Sequence, residues 1–175
     1  MKNKKAKGLI SGNEILLQSS NTTRELLKRG FGIAEGIQIY ISAYEALYLM
    51  EKEKLELFDI NNKEVDKEQL SKRMKRSNRN FLRNYIVFKD LRSKGYNIKT
   101  GAKYGTEFRA YEKGVLPGKA HAKWLIAPVK EDERISWQEI LGKNRIANST
   151  KKRMLLAIVD NDNSVTYIEL KWTKP

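Results

Sequence analysis

The apolar pattern of this chain changes around Ser77-Asn78 and restarts at Phe81, and that break constrains the fold more than any other feature. It divides the chain into two units, residues 1–80 and 81–175. In the first, residues 8–40 read as short strands and turns at the edge of a small sheet, with strands at Gly8 to Ile10 and Ile15 to Leu17 around a Ser-Gly-Asn turn. Ser42 followed by Glu45 matches a capping box and predicts a helix to about Lys54. A Leu55–Ile60 strand, an Asn61-Asn62 turn and a helix opened by Asp66 come next. After the break, Phe81, Leu82, Tyr85 and Ile86 recur at helical spacing until Gly95 ends the run. Tyr96–Thr100, Glu107–Tyr111, Ala122–Val129, Met154–Val159 and Val165–Trp172 read as strands, and a second Ser-x-x-Glu box, Ser136 with Glu139, opens a helix to about Lys151. The expected fold class is α+β: a small N-terminal domain of helices and an antiparallel sheet, then a C-terminal α/β domain with a mixed sheet.

Hydrophobic residues make up 40% of the 175, enough to build a core without disulfides, and there are no cysteines to form them. The absence of thiols and the presence of a single histidine exclude thiolate and His-rich zinc sites. Thirty-five Lys and Arg oppose 21 acids, a net charge of +14, and both units share the excess: sixteen cations against eleven acids, then nineteen against ten. A polyanion is the first partner to consider, although a generally basic surface would give the same count. The helix from Asp66 carries Lys72, Arg73, Lys75, Arg76 and Arg79, a run that a solvated face also explains. The basic start, MKNKKAKGLI, leads into Ser11, Gly12, Asn13 and Glu14 and not into an apolar run, and no stretch reaches the roughly 18 apolar residues of a membrane span. The expectation is a cytoplasmic protein with no membrane partner.

The one histidine, His121, has Tyr111 ten residues before it and Lys152 thirty-one after it. Imidazole is the side chain whose ordinary charge change falls between about pH 5 and 8, so proton transfer at neutral pH points to His121. RNA carries a 2′-hydroxyl beside each phosphodiester. A protein that aligns this oxygen with the scissile P–O bond needs a base, an acid and charge stabilisation, and no cofactor or metal. Each residue also has a structural reading: Tyr111 as a partly buried strand residue, His121 as a satisfied structural histidine, and Lys152 as a cation favoured at a helix C-terminus. Pro117-Gly118 just before His121 suggests a loop open to a ligand.

The runs TGAKYGTEFRAYEKG from Thr100, PGKAHAKWLI from Pro117 and RIANSTKKRMLLAIVD from Arg145 resemble the archaeal tRNA splicing endonuclease family of the homotetrameric type. The likeness extends to RNYIVFKDLRSKGYNIKTG upstream and AYEALYLMEKEKLEL in the first half, so it covers nearly the whole chain. It implies a restriction-endonuclease-like catalytic domain over 81–175 that cuts a bulge–helix–bulge in precursor tRNA without metal, leaving 2′,3′-cyclic phosphate and 5′-hydroxyl ends. By resemblance, Tyr111 would assist deprotonation of the 2′-oxygen, His121 would protonate the leaving 5′-oxygen, and Lys152 would stabilise charge on the phosphate. A tyrosine of ordinary pKa near 10 is a poor base at pH 7, so nearby cations, Lys152 foremost, are expected to lower it.

The resemblance further implies that Arg145 pinches an extruded base, and Trp172 is the candidate for the second side of the pinch; a surface ion pair and plain strand packing are the alternatives for these two. Asp160 and Asp162, in a run that reads as a hairpin loop, would dock into another subunit of a homotetramer. Asn148 stands where members commonly have a second histidine, and the loop lacks their glycine. Two rivals remain: a Mg²⁺-dependent nuclease built on Glu169-Leu170-Lys171, and a non-catalytic RNA-binding subunit.

Overall fold

The computed structural model describes residues 5–173 and divides into two compact units between Leu82 and Arg83. The first contains β1 (Ala6–Ser11), β2 (Glu14–Leu17), α1 (Asn21–Lys28), β3 (Ile33–Glu35), β4 (Gln38–Ile41), α2 (Ala43–Glu51), β5 (Leu55–Asp59) and α3 (Lys67–Ser77). Its five strands run in the order β3-β4-β2-β1-β5. This sheet is mixed and not antiparallel as expected, because β5 lies parallel to β1, with Ala6 beside Leu55 and Ile10 beside Asp59. The intervening chain crosses back through α2, which allows parallel alignment where a hairpin would force the opposite one. Consequently β1 is an interior strand, not an edge, and Ala6 and Ile10 are fully buried.

Helix α1 was not expected. Ser20 caps it by accepting from the Thr23 N–H at 3.1 Å, and the buried Thr23 hydroxyl donates to the Gln18 carbonyl at 2.7 Å. Helix α2 starts on the predicted capping box: the Ser42 hydroxyl accepts from the Glu45 N–H, and the Glu45 carboxylate accepts from the Ser42 N–H at 2.9 Å. That carboxylate is only 3% exposed and also accepts from the Gly32 N–H at 3.0 Å, so the cap ties α2 to the turn before β3. Asp66 and Gln69 form a second reciprocal box at the start of α3.

The second unit holds most of α4 (Phe81–Ser93), then β6 (Asn97–Thr100), a 3₁₀ turn (Ala102–Tyr104), β7 (Phe108–Tyr111), β8 (Trp124–Lys130), α5 (Trp137–Ser149), β9 (Arg153–Val159) and β10 (Val165–Leu170). The sheet order is β10-β9-β8-β7-β6, mixed as expected, with β8 and β9 parallel over seven residue pairs and α5 as the crossover. One sheet face packs Leu125, Ala127 and Met154 against Ala147 of α5. On the other, Phe108 meets Phe88 of α4 with ring centroids 6.1 Å apart. Three expectations are corrected. The last strand stops at Leu170, leaving Trp172 outside it. Ser136 caps α5 through the Glu139 N–H, but the Glu139 carboxylate turns to Lys143 at 2.5 Å, so the box is half formed. The strand expected from Ala122 begins at Trp124.

Two local structures position the loops at the end of this sheet. Helix α5 ends on a pair of backbone bonds, Lys151 N–H to the Asn148 carbonyl at 3.0 Å and Lys152 N–H to the Ala147 carbonyl at 2.7 Å. This is a Schellman stop, and Lys151, with φ 54°, occupies the left-handed position that glycine usually takes. Gly101 is the pivot of the β6–β7 connection. Its carbonyl accepts from the Tyr104 N–H at 2.7 Å, and a Cβ there would lie 2.4 Å from the Thr106 hydroxyl and 2.8 Å from the Phe108 carbonyl. Lys151→Gly should therefore raise stability by up to about 1 kcal/mol in denaturant unfolding by removing left-handed strain. Gly101→Ala should cost about 1–3 kcal/mol by overpacking against backbone.

Candidate active site

The parallel alignment of β8 and β9 decides at which end of the sheet the three singled-out residues lie. Tyr111 ends β7, which runs antiparallel to β8 with Ala110 opposite Trp124. His121 lies in the connection three residues before β8 begins, and Lys123 closes that connection by donating its N–H to the Ala110 carbonyl at 2.9 Å. Lys152 immediately precedes β9, whose Arg153 pairs with Trp124 and donates to the Lys123 carbonyl at 2.9 Å. The topology thus carries Tyr111, His121 and Lys152, far apart in sequence, to one end of one sheet. Trp172, two residues past Leu170 and its partner Met154, and the C-terminal turn of α5 after Arg145 reach the same end.

The side chains differ in setting. Tyr111 is 3% exposed and His121 is exposed, with no hydrogen bond or ion pair to another described residue. Lys152 is half-buried, and its Nζ donates to the Thr150 carbonyl at 2.9 Å. Its ammonium sits 4.9 Å from the centre of the Tyr104 ring, not on Tyr111. Tyr104, absent from the sequence-based site, reaches this position because the β6–β7 connection folds over the α5 side of the sheet, packing its ring against the cluster of Leu125, Ala127, Ala147 and Met154. The signal was its place seven residues before Tyr111 in the TGAKYGTEFRAY run, but nothing in a linear pattern distinguishes it from a loop aromatic.

Two further cations lie in one row across the sheet. Lys99, Arg109, Leu125, Met154 and Leu170 are successive cross-strand partners, so Lys99 and Arg109 stand side by side on the α5 face. The Arg109 guanidinium lies 6.0 Å from the Tyr111 ring. Burial pushes the Tyr111 hydroxyl above its ordinary pKa, Arg109 pulls it back only in part, and the Tyr104 hydroxyl adds to the rise. The expectation that Lys152 lowers the Tyr111 pKa is therefore corrected. The phenol that Lys152 acts on is Tyr104: burial works to raise its pKa, but Lys103, Lys152 and Arg109 together bring it below the ordinary value.

Arg145 is exposed on α5, and Trp172 is 44% exposed, so both are open to solvent. The hairpin of Asp160 and Asp162 lies at the opposite end of the sheet from His121. Asp160 organises its own loop, one carboxylate oxygen accepting from the Asp162 and Ser164 N–H groups at 2.9 and 2.8 Å, while Asp162 stays exposed. In the absence of glycine, Asn163 takes the left-handed position there, with φ 62°. Glu169 pairs with Arg153 across the strands at 3.4 Å, and no group of three metal-ligating acids, His or Cys occurs among the described residues.

The sheet's α4 side holds an apolar cavity of about 280 Å³ between Leu91 and Tyr96 and the strand residues Ala110, Ile126, Leu155 and Tyr167. The Tyr167 hydroxyl donates to Asp90 at 2.7 Å, and Asp90 also pairs with Lys94 at 2.7 Å. Burial and this carboxylate push the Tyr167 pKa far above its ordinary value. Tyr111 and Tyr167 thus hold their protons more tightly folded than unfolded. The stability they carry is complete below about pH 10 and is lost as pH rises through their folded-state values. Thermal unfolding followed from pH 7 to 11 should show an alkaline decline that Tyr167→Phe makes shallower, with a cost of about 1–2 kcal/mol at pH 7 from the lost hydrogen bond.

Two family models account for most of the chain. Residues 6–71 match the tRNA intron endonuclease N-terminal domain and residues 81–167 the tRNA intron endonuclease catalytic C-terminal domain. Among relatives named tRNA-splicing endonuclease, that of Pyrococcus abyssi is 34% identical over 94% of this chain and 95% of its own length. The protein of Nanoarchaeum equitans is 39% identical over 75% of this chain and 87% of its own, and that of Methanothermobacter thermautotrophicus 31% over 98% and 99%. No described helix is long and apolar enough to cross a membrane. With both domains matched in order and relatives aligned almost end to end, the chain belongs to the tRNA intron endonuclease family and is an enzyme of tRNA splicing.

Proposed function

We propose that this protein removes introns from precursor tRNA in the cytoplasm by cutting both splice sites of a bulge–helix–bulge, without metal, and that residues 81–175 form a restriction-endonuclease-like catalytic domain after an N-terminal domain of residues 1–80. The observation that carries the reading is the gathering of Tyr111, His121 and Lys152 at one end of the sheet by the β7–β8–β9 pairing. The 2′-oxygen attacks phosphorus as the bond to the 5′-oxygen breaks. The 2′-proton passes to the Tyr111 oxygen, His121 gives a proton to the leaving 5′-oxygen, and Lys152 meets the charge that builds on the phosphate. Because burial holds Tyr111 protonated, only a small share of molecules carries the accepting phenolate at neutral pH, and Arg109 is the cation that favours it.

Arg145 and Trp172, both exposed, would grip an extruded base between guanidinium and indole. One chain holds one such set of groups and the substrate has two cuts. A homotetramer then supplies two active subunits at a fixed spacing, with the Asp160–Asp162 loop, at the far end of the sheet, as the docking element.

The test is incubation of the purified protein with an end-labelled bulge–helix–bulge RNA in EDTA, beside His121→Ala, with the product ends analysed. Two cuts with 2′,3′-cyclic phosphate ends, slowed about 100- to 10,000-fold in the variant, are expected. A strict need for Mg²⁺ would overturn the mechanism, and tight binding without cleavage under either condition would assign a structural role.

A further inference from the structure

Lys152 has an unusual set of neighbours for a cation that must meet a phosphate. A lysine side chain is a point charge on a flexible stem and needs to be held, yet a carboxylate partner would neutralise the charge the reaction uses. No acid pairs with Lys152 among the described residues. Its Nζ spends one of three N–H donors on the Thr150 carbonyl at 2.9 Å, and the face of the Tyr104 ring lies 4.9 Å away. A carbonyl and an aromatic face both attract an ammonium without cancelling its charge, and two N–H donors remain for a ligand.

The ring is itself fixed. Tyr104 packs on the Leu125–Met154 cluster, its backbone N–H is bound by the Gly101 carbonyl at 2.7 Å, and a side chain at Gly101 would collide with Thr106 and the Phe108 backbone. The backbone of Lys152 is fixed by the Schellman stop of α5, its N–H donating to the Ala147 carbonyl at 2.7 Å. Lys103 places a second ammonium 5.0 Å from the same ring, and the lowered pKa of the Tyr104 hydroxyl agrees with cations converging there.

We propose that Tyr104 is a positioning residue of the cleavage site: its ring and the Thr150 carbonyl together hold the Lys152 ammonium where it meets the phosphate being cut. This rests on the proposed cleavage reaction. The ring and not the hydroxyl is the working part, so Tyr104→Phe keeps the effect and Tyr104→Leu, apolar and smaller but without a π-face, loses it.

The experiment is single-turnover cleavage of the bulge–helix–bulge RNA by the full chain carrying Tyr104→Phe, Tyr104→Leu, Lys152→Ala and the Leu–Ala double substitution. In parallel, the Lys152 ε-methylene proton resonance is recorded without RNA. Tyr104→Leu should slow the cleavage step at saturation roughly 10- to 100-fold with RNA affinity within about threefold of wild type. Tyr104→Phe should restore the rate to within about threefold. The upfield ring shift of the Lys152 methylene should persist in Tyr104→Phe and vanish in Tyr104→Leu, and adding Tyr104→Leu to Lys152→Ala should cost no more than about twofold further. Equal losses in the Phe and Leu variants would overturn the proposal, as would independent multiplication of the Leu and Lys152→Ala effects, which marks a merely structural ring. Failure of the wild type to cut the RNA would instead bring down the reaction itself, and is seen before any variant is compared.

Discussion

The parallel pairing of β8 with β9 is the constraint on which the catalytic domain depends. Seven residue pairs, from Trp124 beside Arg153 to Lys130 beside Val159, fix the register, and a one-residue slip of β9 against β8 would turn Met154 to the face opposite Leu125 and out of the core. Parallel neighbours need a crossover, which α5 provides, and the crossover must end where β9 begins. The Schellman stop at Lys151 and Lys152 meets that demand within two residues, so Lys152 stands at the mouth of the sheet because of how a helix ends. Burial of Leu125, Met154 and Ala147, each 0% exposed, holds both the register and the helix in place.

Charge and burial then divide three tyrosines of one domain among three conditions. Tyr111 is buried beside a single guanidinium and keeps its proton. Tyr104 lies where Lys103, Lys152 and Arg109 converge, and its hydroxyl is the more acidic one. Tyr167, on the opposite sheet face, donates to a carboxylate and is the least acidic of the three. The same residue type thus serves as candidate base, as a support for a cation and as a hydrogen-bond donor. What separates them is which face of the sheet and which neighbours the fold assigns.

The ends of the sheet are also unlike. One carries Tyr111, His121, Lys152 and Trp172, and it is rich in lysine and arginine. The other carries the Asp160–Ser164 turn, where an acid folds its own loop and a second acid faces solvent. A basic site at one end and an acidic turn at the other are held apart by the length of β9 and β10.

The sequence alone determined much of this protein, because the signals involved are local. The Ser42–Glu45 box, the strand patterns and the hairpin at Asp160 each depend on residues a few positions apart, and the runs around Tyr111, His121 and Lys152 carried the family. Signals that depend on distant partners were not legible. The parallel β1–β5 pairing, which makes the N-terminal sheet mixed, is decided by a crossover, and α1 opens on Thr22 and Thr23, whose branched side chains read more readily as strand or turn. Trp172 continues the apolar pattern of the last strand but lies two residues beyond its end. The electrostatics at Tyr111 were expected from a list of charges, but burial and ring contacts are properties of packing, and only packing put Lys152 on Tyr104 and left Tyr111 with its proton. Residue types and spacings specify which groups the chain owns. Which of them meet is fixed by strand register, helix termination and the exclusion of water, and these exist only in the folded molecule.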